Sequence, residues 1–283
     1  MRRHGRDRYV AHVTEMYGSK GFAPATRSVE VWDMIGFFTS SPSGPLDNSR
    51  PVLGLDAMNH FVDNLKLYWP ERARVLMITA FPEDDAANDQ MVDFFSGALE
   101  DAGLPLETFD LWDHRSDNTS LRLLLSYHLI MLGGGHVPTQ NRYFRSIGLR
   151  NKMHLYRRYR RHGIVMGISA GTMNAADRVY AQPELDGEAV DPDYRRFMRG
   201  LGLTNTNILP HYQMVRDTVL DNMRLYEDIT FADSFGKRFL VLPDGSYLLS
   251  VHGKETVWGE AYEIRDGRMR QIAHENEVVS WKA

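Results

Sequence analysis

A mostly parallel, doubly wound α/β sheet with antiparallel hairpins at its C-terminal end is the fold that three features of the sequence predict. Short, continuous apolar runs recur at Met34–Phe38, Val75–Phe81, His128–Leu132, Ile164–Ile168 and Phe239–Leu242. The stretches between them are long enough for crossover helices and carry apolar residues at helical spacing. Met58, Phe61, Val62 and Leu65 form one such set, and Met91, Val92, Phe95 and Leu99 another. Strands that are apolar throughout, alternating with helices, belong to a parallel sheet covered on both faces. Beyond Phe239 the turn signals Pro243-Asp244-Gly245, His252-Gly253 and Asp266-Gly267 are spaced for antiparallel hairpins on one edge.

The 283 residues are 43% hydrophobic and 25% charged, and none is cysteine. A chain of this length buries roughly three quarters of the surface its unfolded form exposes, so it needs no covalent staple. The lack of cysteine excludes disulfides, thiolate metal sites and a cysteine nucleophile together. A net charge of −4 argues against bulk attraction to nucleic acid or an acidic membrane surface. No apolar run approaches the ~20 residues of a bilayer span. The first ten residues are basic but no apolar stretch follows, so they do not read as a signal peptide. The expectation is a soluble cytoplasmic protein.

Residues 1–33 show no sustained period and read as an N-terminal arm ahead of one domain spanning residues 34–283. The segment Arg142–Arg161 holds eight Lys or Arg and no acid. Met153, Tyr156 and Tyr159 recur within it at i, i+3 and i+6, the buried face of an amphipathic helix. The charges therefore read as a solvated face and not as a nucleic-acid surface. There is no H-E-x-x-H and no clustered Asp/His set, so neither metal nor cofactor is expected.

The strongest chemical signal is Gly167-Ile168-Ser169-Ala170-Gly171, which follows an apolar strand and precedes a helix-like Thr172–Ala176. A G-x-S-x-G in that context lifts a serine hydroxyl out of a sharp strand-to-helix turn and aims the next amides at the same spot. The plainer reading is a tight turn without chemistry. A second cluster, Gly133-Gly134-Gly135-His136, ends the preceding strand. If the two strands are adjacent and parallel, both loops meet at the sheet edge where α/β proteins bind ligands. As a phosphate loop the cluster fails, because no Lys-Ser or Lys-Thr follows. A serine nucleophile needs a base. Of eleven histidines, His211 in Pro210-His211-Tyr212 is the one placed at a strand end after the serine and before the hairpins.

Gly-Gly-Gly at a strand end, a G-x-S-A-G elbow and then Pro-His-Tyr resemble the peptidase E (α-aspartyl dipeptidase) and cyanophycinase family. The resemblance runs from about Met34 to Gly267. It implies a class I glutamine amidotransferase-like fold in which serine replaces the cysteine of the glutaminases. It also implies Ser169 as nucleophile, His211 as general base, and the Gly135 and Ala170 amides as the oxyanion hole. For the third triad member the family offers two positions, and both are acidic here. Glu184 lies in Gln182-Pro183-Glu184, and Asp244 in Leu242-Pro243-Asp244-Gly245, where the family shows Leu-Pro-Glu-Gly. Pro-Asp-Gly is also an ordinary turn sequence. His136 stands where the family often has asparagine, and it is expected to line the substrate pocket. Arg224, thirteen residues beyond His211, is near the position of the arginine that meets the substrate's aspartate in the dipeptidases. A guanidinium can hold a carboxylate with two parallel hydrogen bonds, although Asp221 or Asp228 stands close enough on a helix to neutralise it.

The function expected is that of a serine exopeptidase or dipeptidase cutting short peptides, with Asp at the first position as the candidate preference. Short peptides are the expected partners, without nucleic acid or membrane, and the arm leaves room for a homodimer. Two other classes remain open on sequence alone. An α/β-hydrolase esterase would need a histidine late in the chain, His252 or His274. A binding module of the same fold would keep the architecture without turnover.

Overall fold

The computed structural model describes residues 34–43 and 54–282, so the arm expected over residues 1–33 lies outside the described residues. Five strands form the parallel centre: β1 (Ile35–Thr39), β2 (Ala73–Ile78), β3 (Leu106–Trp112), β4 (Leu129–Leu132) and β5 (Ile164–Ile168). Their order across the sheet is β1-β5-β4-β2-β3, every pair parallel. Apart from β3 these strands are buried almost without interruption, as apolar runs without alternation require.

Two cores follow from the pleat. Leu76, Ile78, Ile130, Leu132 and Val165 face one side and pack with Phe144, Leu149, Met153 and Tyr156. These four come from α3 (Val137–Ser146) and α4 (Leu149–Tyr159). Val75, Met77, Leu129, Met131 and Met166 face the other side, against Phe61, Leu65, Phe95 and Leu99. Those belong to the predicted helices, here α1 (Phe61–Tyr68) and α2 (Asp85–Asp101). Helices on both faces make the sheet doubly wound. Tyr159 departs from expectation: it is 62% exposed, because α4 ends at that residue and the ring lies outside the stripe set by Met153 and Tyr156.

The C-terminal part was expected as an antiparallel extension on one edge of the sheet; three of its strands form that edge, and the later hairpin, also antiparallel, belongs to a second sheet. Strands β8 (Tyr247–Val251), β9 (Lys254–Trp258) and β12 (Val278–Trp281) add to the free side of β1, all antiparallel. The His252-Gly253 turn makes the β8–β9 hairpin, and Asp266-Gly267 joins β10 (Ala261–Arg265) to β11 (Arg268–Ala273). The apolar run at Phe239 is different. It forms β7 (Arg238–Val241), which joins that second sheet, of order β11-β10-β7-β6, whose β6 (Asn207–Leu209) lies parallel to it. Pro243-Asp244-Gly245 is thus not a hairpin, as the sequence suggested, but a turn that carries the chain from the second sheet into the first. Its local chemistry is as read: the Ser246 amide donates to the Pro243 carbonyl at 3.2 Å, and Gly245 takes φ +86°. The partner strand, which local sequence does not encode, is what differs.

A third apolar cluster fastens the two sheets together. Leu209, Phe239, Val241 and Ile264 of the second sheet pack with Val137, Ala170 and Met173 beside the first. The C-terminal ends of β4 and β5 thereby face those of β6 and β7.

Candidate active site

Strand β5 ends at Ile168, and α5 (Ala170–Ala175) begins two residues later, so Ser169 alone makes the turn. It does so at φ +49°, ψ −113°. For a residue with a side chain this conformation costs on the order of 1–3 kcal/mol, and it persists only where neighbours over-determine it. Its amide donates to the carbonyls of Thr39 and Ser40, each at 3.2 Å. The Thr172 hydroxyl also donates to the Thr39 carbonyl at 2.8 Å, while Thr39 donates its own to the Gly167 carbonyl at 2.9 Å. The motif's last glycine answers to close approach, because a methyl group at Gly171 would overlap the Leu132 carbonyl oxygen.

Pairing of β4 with β5 puts Leu132 opposite Gly167, so the triple-glycine loop and the elbow leave the sheet side by side, as expected. A methyl group at Gly134 would stand 3.4 Å from the Ser169 Cβ. Gly135 has φ +147°, and a side chain there would strike Phe81 and Ala80. The loop is tied down by Gln140, whose side-chain amide donates to the Gly133 carbonyl at 2.6 Å.

The second sheet delivers the other two groups in the same manner. Leu209 of β6 pairs with Val241 of β7, and the chain beyond each carries His211 and Asp244. Their side chains meet, His211 Nδ1 lying 2.7 Å from Asp244 Oδ1. Asp244 is buried and fully occupied. Ser40 donates to Oδ1 at 2.6 Å and the Gln213 amide to Oδ2 at 2.7 Å, while the Asp244 amide donates to Gln213 Oε1 at 3.1 Å. Burial pushes this carboxyl up, but the bonds from His211, Ser40 and Gln213 outweigh it and hold the group below the usual carboxylate range. The Ser40 hydroxyl accepts from the His211 amide at 2.7 Å. Thr39 and Ser40, the last residues of β1 and just beyond, therefore fasten the serine turn on one side and the His–Asp pair on the other.

Ser169 and His211 face one cavity of about 300 Å³, which Glu184 and Gln182 also line, with Met173, Pro210 and Leu225 among its apolar walls. Glu184 does not touch His211. It is an exposed residue on the cavity wall, near the Val137 amide that opens α3. The surrounding protein and the charge of Glu188 raise its carboxyl to about 7. Glu188 itself accepts from the Glu184 and Leu185 amides at 2.8 and 3.0 Å. Its other oxygen lies 2.9 Å from His136 Nε2.

His136 does not line the cavity that Ser169 faces. It lines a neighbouring groove of about 590 Å³ with Arg142, Arg145 and Arg199. Arg224 stands apart too: its guanidinium is 60% exposed and grips both oxygens of Asp228, at 3.1 and 2.9 Å. That is the neighbour the sequence offered as its neutralising partner, and Arg224 does not line the serine cavity. His252 lies in the hairpin turn beyond Val251, which pairs with Ile35 at the opposite end of β1 from the elbow. His274 lies in the turn after β11, beside Gln271.

Sequence reading missed Ser40, Gln213 and Glu188. Only Ser40 had a signal, a hydroxyl residue just past the strand that pairs with the nucleophile strand. Among the described residues no helix is long and apolar enough to cross a membrane. One group there, Asp85, Asp113 and His114, has metal-ligand spacing, but Arg115 lies against both carboxylates.

The family model described as Peptidase family S51 matches residues 64–257, more than half of the chain. Among solved structures, a peptidase from an acI-B1 Actinobacterium superposes with a TM-score of 0.60 at 14% identity, covering 88% of this chain and 97% of that one. At that identity the likeness speaks for the fold. A Listeria monocytogenes EGD-e structure described under the peptidase E name has a TM-score of 0.45 at 17% identity, covering 85% of this chain and 98% of its own. No curated protein matches.

Proposed function

The chain belongs to peptidase family S51 and is a serine-type peptidase of the peptidase E type, and from that premise we propose that it is an exopeptidase hydrolysing short peptides through an acyl-enzyme on Ser169. The observation that carries the reading is the His211–Asp244 pair on the cavity that Ser169 also faces. With Nδ1 held by Asp244, His211 keeps Nε2 for the serine proton, the tautomer a general base needs.

The Ser169 oxygen attacks the scissile carbonyl carbon while its proton passes to His211. The amides of Gly135 and Ala170 receive the oxyanion that forms. His211 then gives the proton to the leaving amine, the C–N bond breaks, and water repeats the sequence to free the acid and the serine. General base catalysis contributes on the order of 10²–10⁴-fold, and an oxyanion donor on the order of 10²–10³-fold. Asp244 orients His211 and offsets the imidazolium charge, and it is our choice of acid over Glu184. A cavity of about 300 Å³ suits the end of a short peptide.

Selectivity for Asp at the first position is not part of the proposal, because Arg224 is taken up by Asp228 outside the cavity. The esterase reading needs a late histidine at the serine, and the hairpin register puts His252 at the far end of the sheet. The test is release of amino groups from short unblocked peptides by the purified protein and by Ser169→Ala. Turnover by the wild type alone supports the proposal. Equal turnover by Ser169→Ala, or none by the wild type over a broad peptide set, refutes it.

A further inference from the structure

We infer that Glu184 receives the free α-ammonium group of the substrate, so that the amino terminus decides which peptide bond lies against Ser169. The inference rests on the exopeptidase reading above and goes beyond it by naming what makes the enzyme an exopeptidase.

Glu184 lies on the wall of the cavity that also holds Ser169 and His211. Asp244 already occupies His211 Nδ1, which leaves Glu184 without a part in proton transfer. The Val137 amide favours its charged form, which still leaves most of the four or so acceptor sites of a carboxylate open to a ligand. Among the described residues no Lys or Arg is paired with it. Around it, Met173, Pro183, Pro210, Val215 and Leu225 supply mostly apolar wall, so this carboxylate is the group there that can tell a charged terminus from a blocked one.

The second carboxylate sharpens the site. Glu188 is held in place by the Glu184 and Leu185 amides and by His136, and its charge adds to the negative potential at Glu184. Glu188 lines the neighbouring groove and not this cavity, but its charge opposes the ionisation of Glu184 from there, which fits the raised Glu184 carboxyl. A cation placed against Glu184 relieves both the repulsion and the desolvation. A peptide's α-amino group, with an ordinary pKa near 7.7–8.0, is largely such a cation at neutral pH and brings three donors. A substrate lysine side chain carries the same chemistry, so the experiment must separate the two.

The experiment measures kcat/KM for leucine and lysine p-nitroanilides, each with a free and an acetylated amino group. Wild type, Glu184→Gln and Glu184→Asp are compared. A charge-assisted contact of this kind is worth on the order of 10–100-fold, so the wild type should prefer the free leucine substrate over its acetylated form by that factor. Glu184→Gln should collapse the ratio, and Glu184→Asp should restore part of it. Because the ratio is taken within one protein preparation, partial misfolding of a variant cancels. An unchanged ratio in Glu184→Gln, or equal rates on both leucine substrates in the wild type, overturns the inference and leaves the peptidase reading standing. A preference for acetylated lysine over acetylated leucine that Glu184→Gln removes assigns the site to a side chain and overturns it as well. If the wild type cuts none of the four substrates nor any short unblocked peptide, the peptidase reading itself fails and the inference with it.

Discussion

Replacing Asp244 with asparagine keeps the shape of the side chain and removes its charge. The carboxylate takes three side-chain donors, His211 Nδ1 at 2.7 Å and Ser40 at 2.6 Å on one oxygen and Gln213 at 2.7 Å on the other. An asparagine can satisfy only one side. With its oxygen toward Gln213, its NH₂ faces His211, which must then present an unprotonated Nδ1 and a protonated Nε2, the tautomer that cannot accept the serine proton. With its oxygen toward His211, its NH₂ faces the Gln213 amide. Gln213 can flip, but it then loses the bond from the Asp244 backbone amide. Either way the charge opposite the imidazolium is gone. At ~4 Å between charge centres and an effective dielectric constant of ~20, that loss is about 4 kcal/mol, or roughly 10³-fold in rate. The tautomer effect in a serine triad reaches about 10⁴-fold. We therefore expect Asp244→Asn to lower kcat by 10²–10⁴-fold by these estimates, with about 1–3 kcal/mol lost in stability from the orphaned donor. The assay is steady-state hydrolysis of an unblocked dipeptide beside a thermal melt of the same preparation. A loss under ~10-fold in a folded variant refutes the reasoning and means that His211 is oriented by something else.

Glu184→Gln tests the raised carboxyl through stability. Below its ordinary value of 4.5 the group is neutral in both folded and unfolded states, and above about 7 it is charged in both, so the folded wild type carries the full penalty only at high pH. Glu188 on the same loop, His136, and Tyr194, which is coupled to both glutamates, are the titratable groups around it, with His211 across the cavity. The variant's Tm advantage should grow from pH 4.5 to 7 and then level off, and an advantage independent of pH contradicts the assignment. Gly171→Ala forces a methyl onto the Leu132 carbonyl at the base of the glycine loop. It should cost about 1–3 kcal/mol and lower turnover together, and a fully active, equally stable variant refutes the close approach. Arg224→Met removes an exposed i,i+4 pair and should leave the thermal midpoint nearly unchanged. The ratio of rates on Asp- and Asn-leading dipeptides should stay as it was, and a collapse of an Asp preference would return Arg224 to the binding site.

The parallel centre was legible because its strands are apolar on both faces. The glycine loop and the elbow were legible because close backbone approach demands glycine at positions such as Gly135 and Gly171. Strand β3 was not, since it lies at the sheet edge and carries Glu107 and Asp110 within Leu106–Trp112, which breaks the apolar run. The second sheet was missed for the opposite reason. Arg238–Val241 reads like any central strand, and only packing against Asn207–Leu209 shows which sheet it joins. That placement also turned an apparent hairpin turn into the loop that brings Asp244 to His211. Supporting groups such as Gln213 left no trace in sequence, because a polar residue beside a histidine on a short turn is ordinary. Their role comes from where two chain segments over 30 residues apart cross.

The central claim is that Ser169 is the nucleophile and His211 its base. Its most direct test is the mass of the protein after treatment with a diphenyl ester of an α-aminoalkyl phosphonate bearing a free amino group, followed by peptide mapping. We expect one phosphonyl adduct per chain, on Ser169, absent from Ser169→Ala and formed far more slowly in His211→Ala. An adduct on another residue, or labelling of His211→Ala at the wild-type rate, would contradict the account.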